Sequence, residues 1–314
     1  MRYDRDGFPI PPAFDLPDPA AAEEGLPVSE PSAPPRQRRG RPGRRKRLVV
    51  LAVLLGLVVP GLLGPQIMPT IRAAVVNWSL ERAYACQAAD DVAGAVGHLS
   101  RAISWHGNHP DLLCMRALLR LESRDPHGAL TDLREAAAVA PLATQPLRIR
   151  AVVHVVLGEA DQAIAAADRA AELAGGDAAA ALNHRAYIRG LVSRDLDRAL
   201  ADIEQAVSAD PDPPPAYVDT HGFLLHLVGR HQKAIDRLNL AIAGMQEERQ
   251  QFARRFGRSR STAVAVRLRE LDQSLAVMHH HRSLACRAIG LDGQANQDEQ
   301  LARELGFDPS RGIL

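Results

Sequence analysis

The chain has 314 residues, and its 38 Lys and Arg nearly balance 37 Asp and Glu, which excludes a uniformly basic nucleic-acid binder. Aromatic residues make up 4% of it and alanine is abundant, a composition that fits stacked helices rather than a β-sandwich. Three cysteines, Cys86, Cys114 and Cys286, exclude an even-numbered disulfide framework.

Residues 1–35 are rich in Pro, Asp, Glu and Ala, with no apolar period. Such a segment cannot bury enough surface to offset its ordering entropy, so a disordered tail is expected. A basic run follows at 36–47, RQRRGRPGRRKR. Alone it could contact anionic lipid or nucleic acid, but no aromatic residue is interleaved to stack on bases. It abuts the uncharged stretch Leu48–Pro65, LVVLAVLLGLVVPGLLGP. Continued to Met68, this would make a helix of about 31 Å, enough for a bilayer core. The arrangement predicts a transmembrane signal anchor at 48–68, with the basic side and the N-terminus in the cytoplasm. The expected localisation is a single-pass membrane protein with the rest of the chain on the extracytoplasmic side. A cleaved signal peptide fits less well: the leader of about 47 residues is long, and no small-x-small site follows at the usual distance.

A helical-repeat domain is expected over 71–314. Its clearest unit is Asp219–Ala243, DTHGFLLHLVGRHQKAIDRLNLAIA, which reads as two amphipathic helices around Gly229. Gly222 and Ala234 place one small residue on each helix, as the close contact of a helical hairpin needs. The small residue of the second helix recurs at Ala95, Ala129, Ala163, Ala199 and Ala234, at intervals of 34, 34, 36 and 35 residues. Four later come Leu99, Leu133, Ala167, Ile203 and Leu238, and three further on Ala102, Ala136, Ala170, Ala206 and Ala241. The first helices carry Ala83, Ala117, Ala151, Ala186 and Gly222, and Pro141 and Pro211 close two units. This pattern resembles the tetratricopeptide repeat (TPR) family, whose period is about 34 residues. The resemblance covers about 77–245, and more weakly the C-terminus. The family's Trp and most of its aromatic sites are aliphatic here, and the fourth unit carries one or two extra residues.

Unit one turns at Asp90-Asp91, which caps its second helix; unit two breaks at Arg124-Asp125-Pro126; unit three turns at Gly158; unit four ends in DPDPPP. After Met245 comes a charged insertion, about 246–270, with Arg254, Arg255, Arg258 and Arg260 gathered around Gly257. The second helix of unit five is expected to run long. The arginines, at a loop or broken turn, form a candidate basic contact for an acidic partner or headgroup. A degenerate sixth unit and cap cover about 271–309, with Ala295 and Ala302 at the small sites, Gly290 at the turn and Gly306 stopping the last helix. His106 with His109, and His279, His280 and His281, invite a metal reading. Consecutive helix residues point about 100° apart, so the last three cannot converge on one ion and are expected on a polar helix surface.

No GxSxG, P-loop, HExxH or strand-associated GxGxxG occurs, and no cofactor is expected. Cys86 and Cys286 read as small core residues, and Cys114 as more exposed. The expected fold class is all-α: a TPR-like α-solenoid of five to six helical hairpins, preceded by one transmembrane helix and a disordered N-terminal tail. The resemblance implies a groove, lined by first helices, that binds protein or peptide partners without chemistry of its own. Carried onto this chain, the groove positions are Asn77, Tyr84, Asp111, Leu118, Gln145, Arg148, Val152, Asn183, Tyr187, Asp219, Phe223 and His226. The carboxylate clamp of chaperone-binding members is not matched, because its lysine and asparagine sites are missing. Alternatives of other classes are a metal protein or enzyme using the His-rich sixth unit, and lipid or nucleic-acid contact through 36–47.

Overall fold

The structure is a computed structural model that describes residues 67–308, apart from 176, 177 and 260. The expected tail, the basic run and nearly all of the expected anchor fall outside the described residues. Among those described, no helix is long and apolar enough to cross a membrane. The single-pass assignment, with repeats on the far side of a bilayer, is therefore corrected. Its last two residues show why: Ile67 and Met68 open a helix at 67–88 that carries Arg72, Glu81 and Arg82. From Val75 onward that helix belongs to the repeat body.

The described elements are helices, with no strand among them. They are α1 (67–88), α2 (Val92–His106), α3 (Pro110–Glu122), α4 (Pro126–Val139), α5 (Thr144–Val156) and α6 (Ala160–Leu173). Then come α7 (Ala178–Leu191), α8 (Leu196–Ser208), α9 (Pro215–Leu227), α10 (His231–Phe256), α11 (Thr262–Ala288) and α12 (Asp292–Glu304). Consecutive pairs form six hairpins. The insertion is the second half of α10, a turn and the start of α11, and the two helices reach 26 and 27 residues against 13–15 for α2–α9 and α12.

One turn chemistry closes every hairpin. A residue of left-handed backbone follows each first helix: Asp90 (φ 61°), Arg124 (62°), Gly158 (73°), Ser193 (51°), Gly229 (78°) and Gly290 (78°). The next N–H donates back across the turn to the carbonyl five residues earlier, as in Asp91 to Cys86, Asp125 to Arg120 and Arg230 to Leu225. This is the Schellman end, which satisfies carbonyls that the helix itself leaves unpaired. The extra residue of unit four is Arg194: the turn needs two left-handed residues there, Ser193 and Asp195. Asp91 and Asp125 then cap α2 and α4, each carboxylate accepting from a glycine N–H at 2.9 Å.

The repeated small residues are the hairpin seams. Ala95, Ala129, Ala163, Ala199, Ala234 and Ala295 are all fully buried, as are Leu99, Ile203 and Leu238 between the helices. Gly222 is the closest approach: a Cβ there would lie 2.6 Å from Leu238 Cγ and 3.2 Å from the Ala234 carbonyl oxygen.

Inside hairpins two, four and six runs a second, polar seam. Arg116 grips Asp132, Arg185 grips Asp202 and Arg282 grips Asp298, each through Nε and Nη2 to both carboxylate oxygens at 2.5–2.9 Å. A further donor completes each site: Arg120 on Asp132, Arg189 on Asp202 and His279 on Asp298. Such two-pronged, charge-assisted pairs fix geometry as well as energy. They set the angle between two helices whose apolar seam is mostly alanine.

First helices also touch one another in sequence: α3 with α5, α5 with α7, α7 with α9, and α9 with α11. Second helices make no comparable set of contacts among the described residues. The stack therefore curves toward its first helices, which form the inner wall.

Candidate functional site

The inner wall is where the twelve groove positions fall, and the structure sorts them. Asn77 and Leu118 are exposed; Tyr84, Asp111, Arg148, Val152, Tyr187 and His226 are partly buried. Gln145, Asn183, Asp219 and Phe223 are buried and do not form an open wall. At the last two, the cover is α11. His281, with no exposed surface, sets its Nδ1 3.0 Å from Asp219 Oδ1 and stacks on the Phe223 ring at 4.3 Å between centroids. Tyr187 meets the same imidazole edge-on at 6.3 Å, and burial together with the Asp219 charge pushes its phenol pKa upward.

The three consecutive histidines go three ways, and this corrects the expectation of a polar helix surface. His279 is buried against Asp298 at 2.7 Å, His281 is buried against Asp219, and His280 stacks on Phe307 at 4.4 Å. Burial, then the neighbouring His281, pull the His280 pKa down to about 4, so its ring is neutral at pH 7. Among the described residues no three His, Cys, Asp or Glu side chains gather as metal ligands would. His109 instead accepts from the Asp111 N–H at the start of α3. The cysteine expectation also changes: Cys114 is buried and its thiol is pushed up to about 12, chiefly by burial, while Cys86 is the half-exposed one.

The arginine cluster sits at the far tip of the long hairpin. Arg254 and Arg255 occupy the last turn of α10, where positive charge complements the helix's C-terminal end. Arg258 lies in the turn that follows, and Arg260 is outside the described residues. The Arg255 guanidinium lies 5.1 Å from the Phe256 ring centre.

From the tip, the hairpin leads back to the opposite end of the array. Arg269 on α11 donates to the carbonyls of Gln87 (2.5 Å) and Ala88 (2.8 Å), at the end of α1. Asp90 stands 4.0 Å from the same guanidinium. Tyr84, one turn earlier, has its pKa pushed up to about 12 by burial and by Glu270. The Arg249–Asp272 pair and the Arg267–Glu248 pair brace α10 to α11 along this arm. The buried polar sites carry a sequence signal, an arginine 16 or 17 residues before an aspartate, at 116/132, 185/202 and 282/298. Nothing local announced Arg269, whose partners lie more than 180 residues away.

No family model matches the chain, and no curated protein does. Several solved structures are similar. PilW, a type IV pilus biogenesis factor, is 14% identical over 74% of this chain and 95% of its own, with a TM-score of 0.48. A thermophilic TPR protein of Thermus thermophilus, TTC0263, is 17% identical over 62% of this chain and 98% of its own, with a TM-score of 0.47. A tetratricopeptide repeat protein of Parabacteroides merdae is 15% identical over 76% of this chain and 95% of its own, at 0.44. The chain has a TPR-like fold. What establishes it is the chain's own 34–36-residue hairpin period, its buried small-residue seams and its repeated turn. A TPR-like array of this kind offers surface rather than an enclosed cleft, and its partly exposed inner positions run from Asp111 on α3 to His226 on α9.

Proposed function

We propose that this protein is a non-catalytic scaffold that binds a protein or peptide along the inner wall of its TPR-like array. The observation that carries this reading is the row of side chains left partly open on successive first helices. Leu118 is 42% exposed on α3. Arg148 and Val152 follow on α5, and His226 on α9. An apolar anchor beside charged and polar neighbours suits a peptide segment with hydrophobic side chains at intervals. Curvature toward the first helices presents those side chains to one ligand at once.

Capture of proteins from the native host on wild-type protein and on a Leu118→Glu variant tests the proposal. Leu118 is exposed enough that the variant's melting temperature should stay within a few degrees of wild type. The expected outcome is a set of captured proteins that the variant loses at least about tenfold, the size of effect that a buried charge at an apolar anchor produces. Equal capture by a folded variant contradicts it.

A further inference from the structure

α11 does two unlike things along its length. From Leu271 onward it is the first helix of unit six, anchored in the core. Leu271, Leu275, Met278, His281 and Cys286 are all buried there, and His281 reaches Asp219. Its N-terminal half has left the unit and lies against unit one. There the contact is polar and open: Arg269 is 44% and Asp90 78% exposed. A cleft of about 120 Å³ remains between Val92 and Glu122 on one side and Val266, Arg269 and Gln273 on the other. Exposed pairs hold weakly and core packing holds strongly, so the helix is firmly rooted at one end and lightly fastened at the other.

Geometry says what the light fastening spans. Stacked straight, the first helices of units one and five would stand about 40 Å apart at roughly 10 Å per helix spacing. Between Arg269 and His281 the axis of α11 advances only about 18 Å. One helix nonetheless meets Gln87 and Ala88 in unit one and Asp219 and Phe223 in unit five. The array is therefore drawn round until its ends share α11, and the helix covers the inner wall at those ends, beside Tyr84 in unit one and over Asp219 and Phe223 in unit five.

The geometry points to an autoinhibitory latch: the arm made of the second half of α10 and the first half of α11 closes the unit-one end of the inner wall in cis, and Arg269 on the carbonyls of Gln87 and Ala88 is its catch. Releasing the catch swings the arm away from unit one without unfolding unit six, and uncovers Tyr84. The carbonyls are the exposed ends of α1, which water can satisfy once Arg269 leaves, so the open state carries no orphaned backbone group. A partner that extends from the partly open stretch on α3 and α5 to Tyr84 on α1 has to displace this arm and so meets a lower apparent affinity than an open wall would give.

The inference rests on the inner wall being the binding surface, and two readouts on the full chain separate the two claims. Hydrogen exchange reads the latch alone. In Arg269→Ala, the amides of 262–270 should exchange about tenfold faster than in wild type, as loss of two exposed charge-assisted hydrogen bonds implies. Amides of 275–288 should keep their rates, and Arg269→Lys, which retains the charge without the fork, should fall between. Unchanged exchange at 262–270, or equal acceleration along the whole of α11, overturns the latch whatever the wall binds. Capture of host proteins reads the consequence: Arg269→Ala should retain several-fold more of the proteins that wild type retains. Faster exchange with equal or lower capture overturns the autoinhibitory role and leaves the arm a mere strut.

Discussion

At the scale of single residues, the turn positions and the buried charges decide most. Arg124 holds a left-handed backbone at φ 62° where units three, five and six place glycine. A side chain there costs about 1–2 kcal/mol relative to glycine in the folded state, part of which glycine returns through its looser unfolded chain. Arg124→Gly should therefore stabilise the protein by about 0.5–1 kcal/mol, measured as a shift in the urea midpoint at constant slope. Asp202 shows the opposite sensitivity. It accepts from Arg185 and from Arg189, whose side chain is 5% exposed. Removing the carboxylate leaves that buried guanidinium only Asp168, at 2.7 Å, and Asp202→Ala should cost about 3 kcal/mol. Asp161→Ala, whose pair with Arg194 is exposed on both sides, should cost less than about 1 kcal/mol.

Protonation follows from the same residues. Burial, then the nearby Arg148, draw the His184 pKa down to about 3, and burial with His281 draws that of His280 down to about 4. Both rings are neutral in the folded chain, and in the unfolded chain they take up protons below about pH 6.5. Their stabilising share is full above that pH and is lost as pH falls toward 4 and 3. Asp298 acts lower: burial opposes its charge, but the hydrogen bonds from Arg282 and His279 outweigh it and lower its pKa. Its share is present above the ordinary carboxylate value, about 3.9, and disappears as pH falls through the lowered one. Urea midpoints should decline from pH 7.5 to pH 4.5, and His280→Gln should flatten part of that decline. A midpoint that rises on acidification would contradict these assignments.

At the scale of elements, much was legible because each hairpin repeats the same local physics. The alanines at 34–36-residue spacing and the apolar residues four later are the buried seams, and Gly222 meets Ala234 as the hairpin reading requires. Gly222→Ala would push a methyl group to 2.6 Å from Leu238 Cγ, so it should destabilise by about 1–3 kcal/mol. Thermal denaturation of that variant beside Gly97→Ala, where a Cβ meets nothing within 4 Å, isolates the clash from any general effect of glycine replacement. The long reach of α10 was also legible, since between Gly244 and Gly257 there is no further glycine and no proline. The left-handed turns at Asp90, Arg124 and Ser193 were not, because none of those residue types demands that backbone. Nor was the burial of Asp219 and Phe223, which depends on a helix about 60 residues further along the chain. Periodicity reports contacts within a unit and says nothing of what crosses the array.

At the scale of the whole repeat body, curvature links the two ends. First helices contact one another and the stack bends toward them, which brings unit one within reach of α11. The bend both creates an inner wall and lets the chain cover part of it. A stretch on α3 and α5, with Leu118 exposed and Val152 partly buried, remains between the anchored and the latched ends of α11. The proposed scaffold function stands or falls on that stretch. Position-resolved photo-cross-linking tests it most directly, with a benzophenone side chain placed in turn at Leu118, Val152, Leu142 and Leu240. The last two are 77% and 61% exposed and lie off the inner wall, in the α4–α5 connection and on α10. The account predicts adducts with one and the same protein at Leu118 and Val152 and none at Leu142 or Leu240. Adducts at Leu142 or Leu240, with none at Leu118 and Val152, would contradict it.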